Sequence, residues 1–186
     1  YDVFLAGNIN SEKDVEMLDL TGWRQICILR PMSLSSDLKA VLQLSAYFKQ
    51  MKFDAVHSVT PKAGLVCALA GFFAEVPIRI HIFTGQVWAT RTGFIRWMLK
   101  SVDKFIAKLN THILVDGGSQ KNYLVKNGVI KADKGQVLGD GSISGVNLDR
   151  FNPLVETRMA VRKELGISDN KIVFVLMGRV NHDKGL

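Results

Sequence analysis

The chain has 186 residues, 47% hydrophobic and 22% charged, with a formal net charge of +7. That balance excludes a disordered or fibrous protein, and the length suffices to bury a core without disulfides or a structural metal. The longest apolar stretch, Ala63 to Ala74, falls short of the roughly 18 to 20 residues of a membrane span, and Tyr1 opens no signal-peptide pattern. Cys27 and Cys67 both lie in apolar runs without metal-ligand spacing, so a reducing compartment and no metal are expected.

Short β-branched or aliphatic runs recur at 2–6, 25–29, 54–59, 78–83, 111–115, 135–138 and 172–177. Helix-like periodicity fills 36–50, 61–75, 91–109, 118–127 and 157–165. Strands alternating with helices predict right-handed βαβ units, hence an α/β fold with a Rossmann-like, doubly wound and mostly parallel sheet. Helix 61–75 carries its own punctuation: Thr60 at the cap, Pro61 at the first helical position, Pro77 past the end. Its small residues, Ala63, Gly64, Ala68, Ala70 and Gly71, suit it to lie close on a sheet. The chain opens directly in a strand, and its last strand runs into a loop that stops at Leu186. Two regions are therefore expected: 1–150, a first domain lacking its opening strand, and 151–186, an interdomain segment with the first strand of a truncated second domain.

The charge is local. Residues 1–90 carry 8 basic and 8 acidic groups, whereas 91–134 carry 9 and 3. At about 100° per residue, helix 91–109 places Ile95, Met98, Leu99, Val102, Phe105, Ile106 and Leu109 on one arc. Arg96, Lys100, Lys104 and Lys108 form a stripe opposite, with Trp97 projecting from the basic side. Like charges at that spacing cost about 0.2–0.5 kcal/mol per pair, so an anionic partner would relieve them. The stripe reads either as a membrane-facing surface, with cations on lipid headgroups and Trp97 at the boundary, or as a solvated face of a core helix. No stacking platform or groove-reading motif accompanies it, which argues against nucleic acid.

Ligands of open α/β sheets bind beyond the carboxyl ends of the strands. There the chain places His57 and Ser58 ahead of a helix N-terminus, Thr84-Gly85-Gln86-Val87-Trp88 with a flat indole of the kind sugars stack on, and Asp116-Gly117-Gly118-Ser119. His57 is open to a structural or a ligand-binding reading. After the last strand, Gly178, Arg179 and Lys184 can converge on a diphosphate, or form a solvated basic loop. The P-loop pattern is missing there. Gly139-Asp140-Gly141-Ser142-Ile143-Ser144 matches the first glycines of a dinucleotide fingerprint, but a turn-like stretch follows where a helix would have to start.

Taken in order, His57-Ser58 with Pro61-Lys62-Ala63-Gly64, then Ile80-His81-Ile82-Phe83-Thr84-Gly85-Gln86-Val87-Trp88, then Gly139 to Asn147 with Arg150-Phe151, then Gly178-Arg179 with Asp183-Lys184-Gly185, the chain resembles a bacterial family 4 glycosyltransferase of the GT-B fold. The Phe83-to-Trp88 stretch is most like enzymes that build capsule, O-antigen or lipid-linked glycans. The resemblance implies two Rossmann-like domains facing a cleft and transfer with retention of configuration from a nucleotide-sugar, a UDP-sugar here, to a lipid-diphosphate-linked glycan or polysaccharide. It implies no cofactor and no metal, and a site on the cytoplasmic, inner face of the cell membrane. Gly178, Arg179 and Lys184 would bind the donor diphosphate. His57, Ser58, Thr84, Gly85, Trp88 and Ser119 would line the acceptor side. Relatives often place a His where Thr84 stands; His81 is expected inside the strand instead. The family's donor-binding acidic pair and opening Gly-rich loop are expected outside this sequence and the catalytic residues beyond Leu186, so this chain is expected to be inactive alone. The alternative is a non-catalytic Rossmann-like module for a phosphorylated or nucleotide ligand.

Overall fold

The computed structural model describes residues 1–9, 12–29, 33–142 and 145–178. Two compact units emerge, Tyr1–Ile143 and Ser144–Leu186.

In the first unit, β1 (Phe4–Gly7), α1 (Glu12–Glu16), β2 (Gly22–Gln25), α2 (Leu34–Met51), β3 (Ala55–Ser58), α3 (Pro61–Phe73), β4 (Ile78–Phe83), α4 (Gly93–Leu109), β5 (His112–Val115), α5 (Gly118–Lys126) and β6 (Gly135–Val137) follow one another. All registered pairs are parallel. β1 pairs with β2, and β3-β4-β5-β6 form a four-stranded sheet in chain order. This is the expected α/β, Rossmann-like alternation. Two details differ from the sequence reading. α1 is an additional short helix, and β2 lies upstream of the aliphatic run 25–29, because the ladder with β1 runs from Phe4 opposite Gly22 to Gly7 opposite Gln25.

Pairing register decides which side chains meet. Ser58 lies beside His81 and Val56 beside Arg79, and α3 covers that face. Gly64 lets it do so: a Cβ there would run into the His81 ring, and one at Gly71 would press on Arg79 and Val56. Two apolar cores result. One joins α2, α3 and β3 through Ala40, Val41, Leu44, Phe48, Val56, Val66 and Ala70. The other gathers Phe83, Trp88, Ile106, Ile113, Val115 and Leu124 around β4, β5, α4 and α5. Burying each large aliphatic side chain contributes about 1.5–3 kcal/mol.

The second unit holds α6 (Val155–Glu164). Its buried Arg162 donates to the carbonyls of Ser168 and Lys171, folding the turn after the helix back on itself. The run expected as a strand at 172–177 has no strand structure; Ile172, Phe174, Val175 and Met177 are more than four-fifths exposed. A strand is defined by its ladder, and no described strand pairs with this segment.

Candidate functional site at the carboxyl edge of the sheet

Because β3 to β6 are parallel and in chain order, the loops that follow them lie in a row along one edge. His57 is exposed on the face of β3 opposite Ser58, yet partial desolvation lowers its pKa. Thr84, Gly85 and Ser119 are exposed. Open space lies where a Cβ would stand at Gly85, Gly117 and Gly118, so a ligand can approach the backbone there. Ser119 sits in the first turn of α5, whose Gly117 cap offers no side chain and whose first turn has no acid. Free N–H groups and the positive end of the helix dipole therefore favour an anionic or hydroxyl-rich ligand at that point.

The loop after β6 is tied to the loop after β5. Gly141 has φ of +107°, and a Cβ would stand 2.5 Å from the Asp116 carbonyl oxygen. That oxygen accepts the Ser142 N–H. Only glycine tolerates both conditions, so the Gly-rich Gly139–Gly141 turn serves close loop packing and not the dinucleotide fingerprint it partly matches. Among the described residues, Gln86 Nε2 and Asp116 Oδ1 are buried without a hydrogen-bond partner. An unpaired buried polar group costs about 1–3 kcal/mol. Sequence reasoning did not single out Gln86 or Asp116 as site residues. The available signal was a polar residue beside glycine directly after a buried strand.

Two residues expected to line the edge are buried instead. Ser58 is 5% exposed, and its Oγ is 2.9 Å from His81 Nδ1. His81, inside the strand as expected, is desolvated; burial, with His57 nearby, lowers its pKa to about 4. Cys67 also bonds Ser58, and burial pushes its thiol up to about 11. This is a packed polar cluster, neutral at pH 7, with no surface for an acceptor. Trp88 is corrected likewise, at 1% exposure. Its indole stacks on Tyr123 at 5.3 Å, lies under the Arg96 guanidinium at 4.9 Å, and donates Nε1–H to Asp103 Oδ2 at 2.7 Å. No face is left for a sugar. What Trp88 does is pin the loop after β4 to α4.

The outer face of α4 also differs from the expected stripe. Arg96 is half-buried and donates to the carbonyls of Trp88 and Ala89 and to Asn127 Oδ1. Lys100 is half-buried with its ammonium 5.9 Å from the Trp88 ring centre. Lys104 and Lys108 remain exposed, as do Phe94, Ile95, Trp97 and Phe105. Phe94 and Trp97 stack at 5.6 Å. Ile95 and Phe105, placed on the buried arc by periodicity, belong to the surface, while Asp103 and Ala107 take the buried positions. No helix among the described residues is long and apolar enough to cross a membrane.

Gly178 is an exposed bend; Arg179 and Lys184 lie outside the described residues.

No protein-family model matches the chain. Among curated proteins it is similar to the capsular polysaccharide biosynthesis glycosyltransferase CapM of Staphylococcus aureus, 31% identical over 174 residues, covering 94% of this chain and 45% of that protein. It is also similar to the UDP-Gal:alpha-D-GlcNAc-diphosphoundecaprenol alpha-1,3-galactosyltransferase of Escherichia coli, 27% identical over 154 residues, covering 82% of this chain and 39% of that protein. The chain thus spans less than half the length of either relative.

Proposed function

We propose that this chain is the acceptor-side, Rossmann-like part of a GT-B glycosyltransferase that moves a sugar, with retention, from a UDP-sugar to a lipid-diphosphate-linked or polysaccharide acceptor at the inner face of the cell membrane. The observation that carries the reading is similarity along nearly the whole chain to two named glycosyltransferases, one of them acting on a diphosphoundecaprenol-linked sugar. The carboxyl edge supports it. His57, Thr84, Gly85 and Ser119 are exposed there, and the Thr84 and Ser119 hydroxyls can donate to and accept from sugar hydroxyls. Binding and orienting an acceptor hydroxyl at that edge contributes by proximity, and no cofactor is proposed.

Gly178, Arg179 and Lys184 are proposed to hold the donor diphosphate, the Arg as a fork and the Lys as a point charge, offsetting charge on the leaving nucleotide. The exposed aromatic and cationic face of α4, with Phe94, Trp97, Lys104 and Lys108, is proposed to rest on anionic lipid. Each such lysine contributes about 1 kcal/mol near an anionic leaflet.

The test is transfer from radiolabelled UDP-galactose or UDP-N-acetylglucosamine to a diphosphoundecaprenol-linked sugar, using the product of the whole reading frame that contains this chain. Turnover is expected, with Arg179→Ala and Lys184→Ala each lowering it at least a hundredfold and the 186-residue chain alone showing none. Full turnover in both variants would remove the diphosphate assignment, and no transfer to any lipid-linked acceptor would overturn the activity.

A further inference from the structure

The amino ends of β5 and β6, at the other edge of the sheet, floor an open groove of ≈ 620 Å³ away from the proposed acceptor site, sharing Lys104 and Lys108 with the α4 face proposed to rest on lipid. Lys104 and Lys108 enter from the last turns of α4, Lys131 and Lys134 from the loop before β6, and His112 from the start of β5; Asp133 is the one acid in its lining. Lys104, Lys108 and Lys131 are exposed and take part in no ion pair among the described residues.

These lysines are not there to cap the helix. At the C-terminal end of α4 the Ile106 carbonyl accepts from the Asn110 backbone and side chain, Leu109 from Arg79 Nε, and Ala107 from Lys134 Nζ. Three of the carbonyls that would repel an anion are thus already bonded. Lys134 is the strut that closes the groove wall, and Lys104, Lys108 and Lys131 line the same concavity without an ion pair among the described residues. Lys104 and Lys108 also repel each other at i, i+4. A small, highly charged ligand with several acceptor oxygens relieves this arrangement; a monovalent carboxylate offers too few.

We propose that this groove is a phosphate-binding site, separate from the carboxyl edge, that takes a phosphomonoester or diphosphate through Lys104, Lys108 and Lys131. Two sources share that chemistry: a lipid headgroup, reached because the groove continues from the exposed face of α4, and a soluble phosphate.

The experiment follows amide shifts of the labelled 186-residue chain on titration with inorganic pyrophosphate, alongside co-sedimentation with phosphatidylcholine vesicles containing phosphatidic acid or an equal charge of phosphatidylserine. Saturable shifts are expected at His112, Lys131 and Gly135, and Lys131→Gln should weaken them at least tenfold with an unchanged melting temperature. Preference for phosphatidic acid over phosphatidylserine, lost in Lys131→Gln, identifies the lipid source. Saturable pyrophosphate binding without that preference identifies the soluble one. Non-saturating shifts spread over all exposed lysines, together with equal binding of the two vesicle types, would overturn the site. Trp97→Ala separates this from the membrane reading of α4: it should lower vesicle binding generally and leave pyrophosphate binding as it is.

Discussion

At the carboxyl edge of the four-stranded sheet the loops are short on charge and held by specific bonds: Trp88 to Asp103, Ser142 to Asp116, Asp116 to Gln120. At the amino edge the exposed lysines of the groove stand without ion-pair partners among the described residues, and Lys134 is fixed to backbone. The first edge holds shape at the cost of buried polar groups, and the second concentrates charge at the cost of mutual repulsion. A parallel sheet makes this division available because its two edges receive different loops. Removing a residue from the first should therefore cost stability, and removing a charge from the second should cost none.

The largest effect is expected at Trp88. Replacing it by alanine empties a fully buried aromatic site and leaves the Asp103 carboxylate without its donor, for a loss of about 4 kcal/mol in urea unfolding followed by circular dichroism. A loss under 1 kcal/mol would break the claim that the carboxyl edge is held by this anchor.

The pH dependence sharpens the comparison next. Burial pushes the Asp103 carboxyl up to about 6 from an ordinary 3.8. The folded chain then holds that proton more tightly than the unfolded one, so this group stabilises most below about pH 4 and loses that contribution as pH rises toward 6. His81 runs the other way. Lowered to about 4 from 6.5 by burial, it contributes fully above about 6.5 and loses that contribution as pH falls toward 4. Each swing is of order 3 kcal/mol, and over the shared window they largely cancel. Asp103→Asn should unmask stability that rises from pH 4 to 6.5, and His81→Gln stability that falls from pH 4 to 6. Melting curves of both variants with the same slope would refute the pairing.

The smallest effect belongs to the amino edge. Lys104→Gln removes a like-charge i, i+4 contact with Lys108 and should raise stability by about 0.2–0.5 kcal/mol at low salt, vanishing as salt is added. A clear loss instead would mean that Lys104 is structural, and the contrast between the edges would fail there.

Much of this was legible in the chain. Thr60-Pro61 and Pro77 bracket α3, and the alternation of runs gives the parallel sheet. Register was not legible. The aliphatic run 25–29 loses to Gly22–Gln25 because β1 selects its partner by pairing, and Ile26 only extends the contact by donating to the Gly7 carbonyl. Ser58 and Trp88 failed as site residues for one reason: a strand-end side chain is exposed only if nothing distant reaches it. His81 reaches Ser58 across the sheet, and Asp103 reaches Trp88 from α4. Asp103 was itself a signal. It is the only acid in a helix of basic and apolar residues, and it borders the apolar arc, where a carboxylate requires a buried donor.

The burial of Trp88 also gives the molecule an internal optical contrast. Of its three tryptophans, Trp23 and Trp97 are 41% and 63% exposed while Trp88 is 1% exposed. Iodide should quench the red-edge emission of the first two and spare a blue-edge residue belonging to Trp88. Without any attached dye, the chain then reports its interior through Trp88 and its surface through Trp23 of β2 and Trp97 of α4 in one spectrum, at two separable wavelengths.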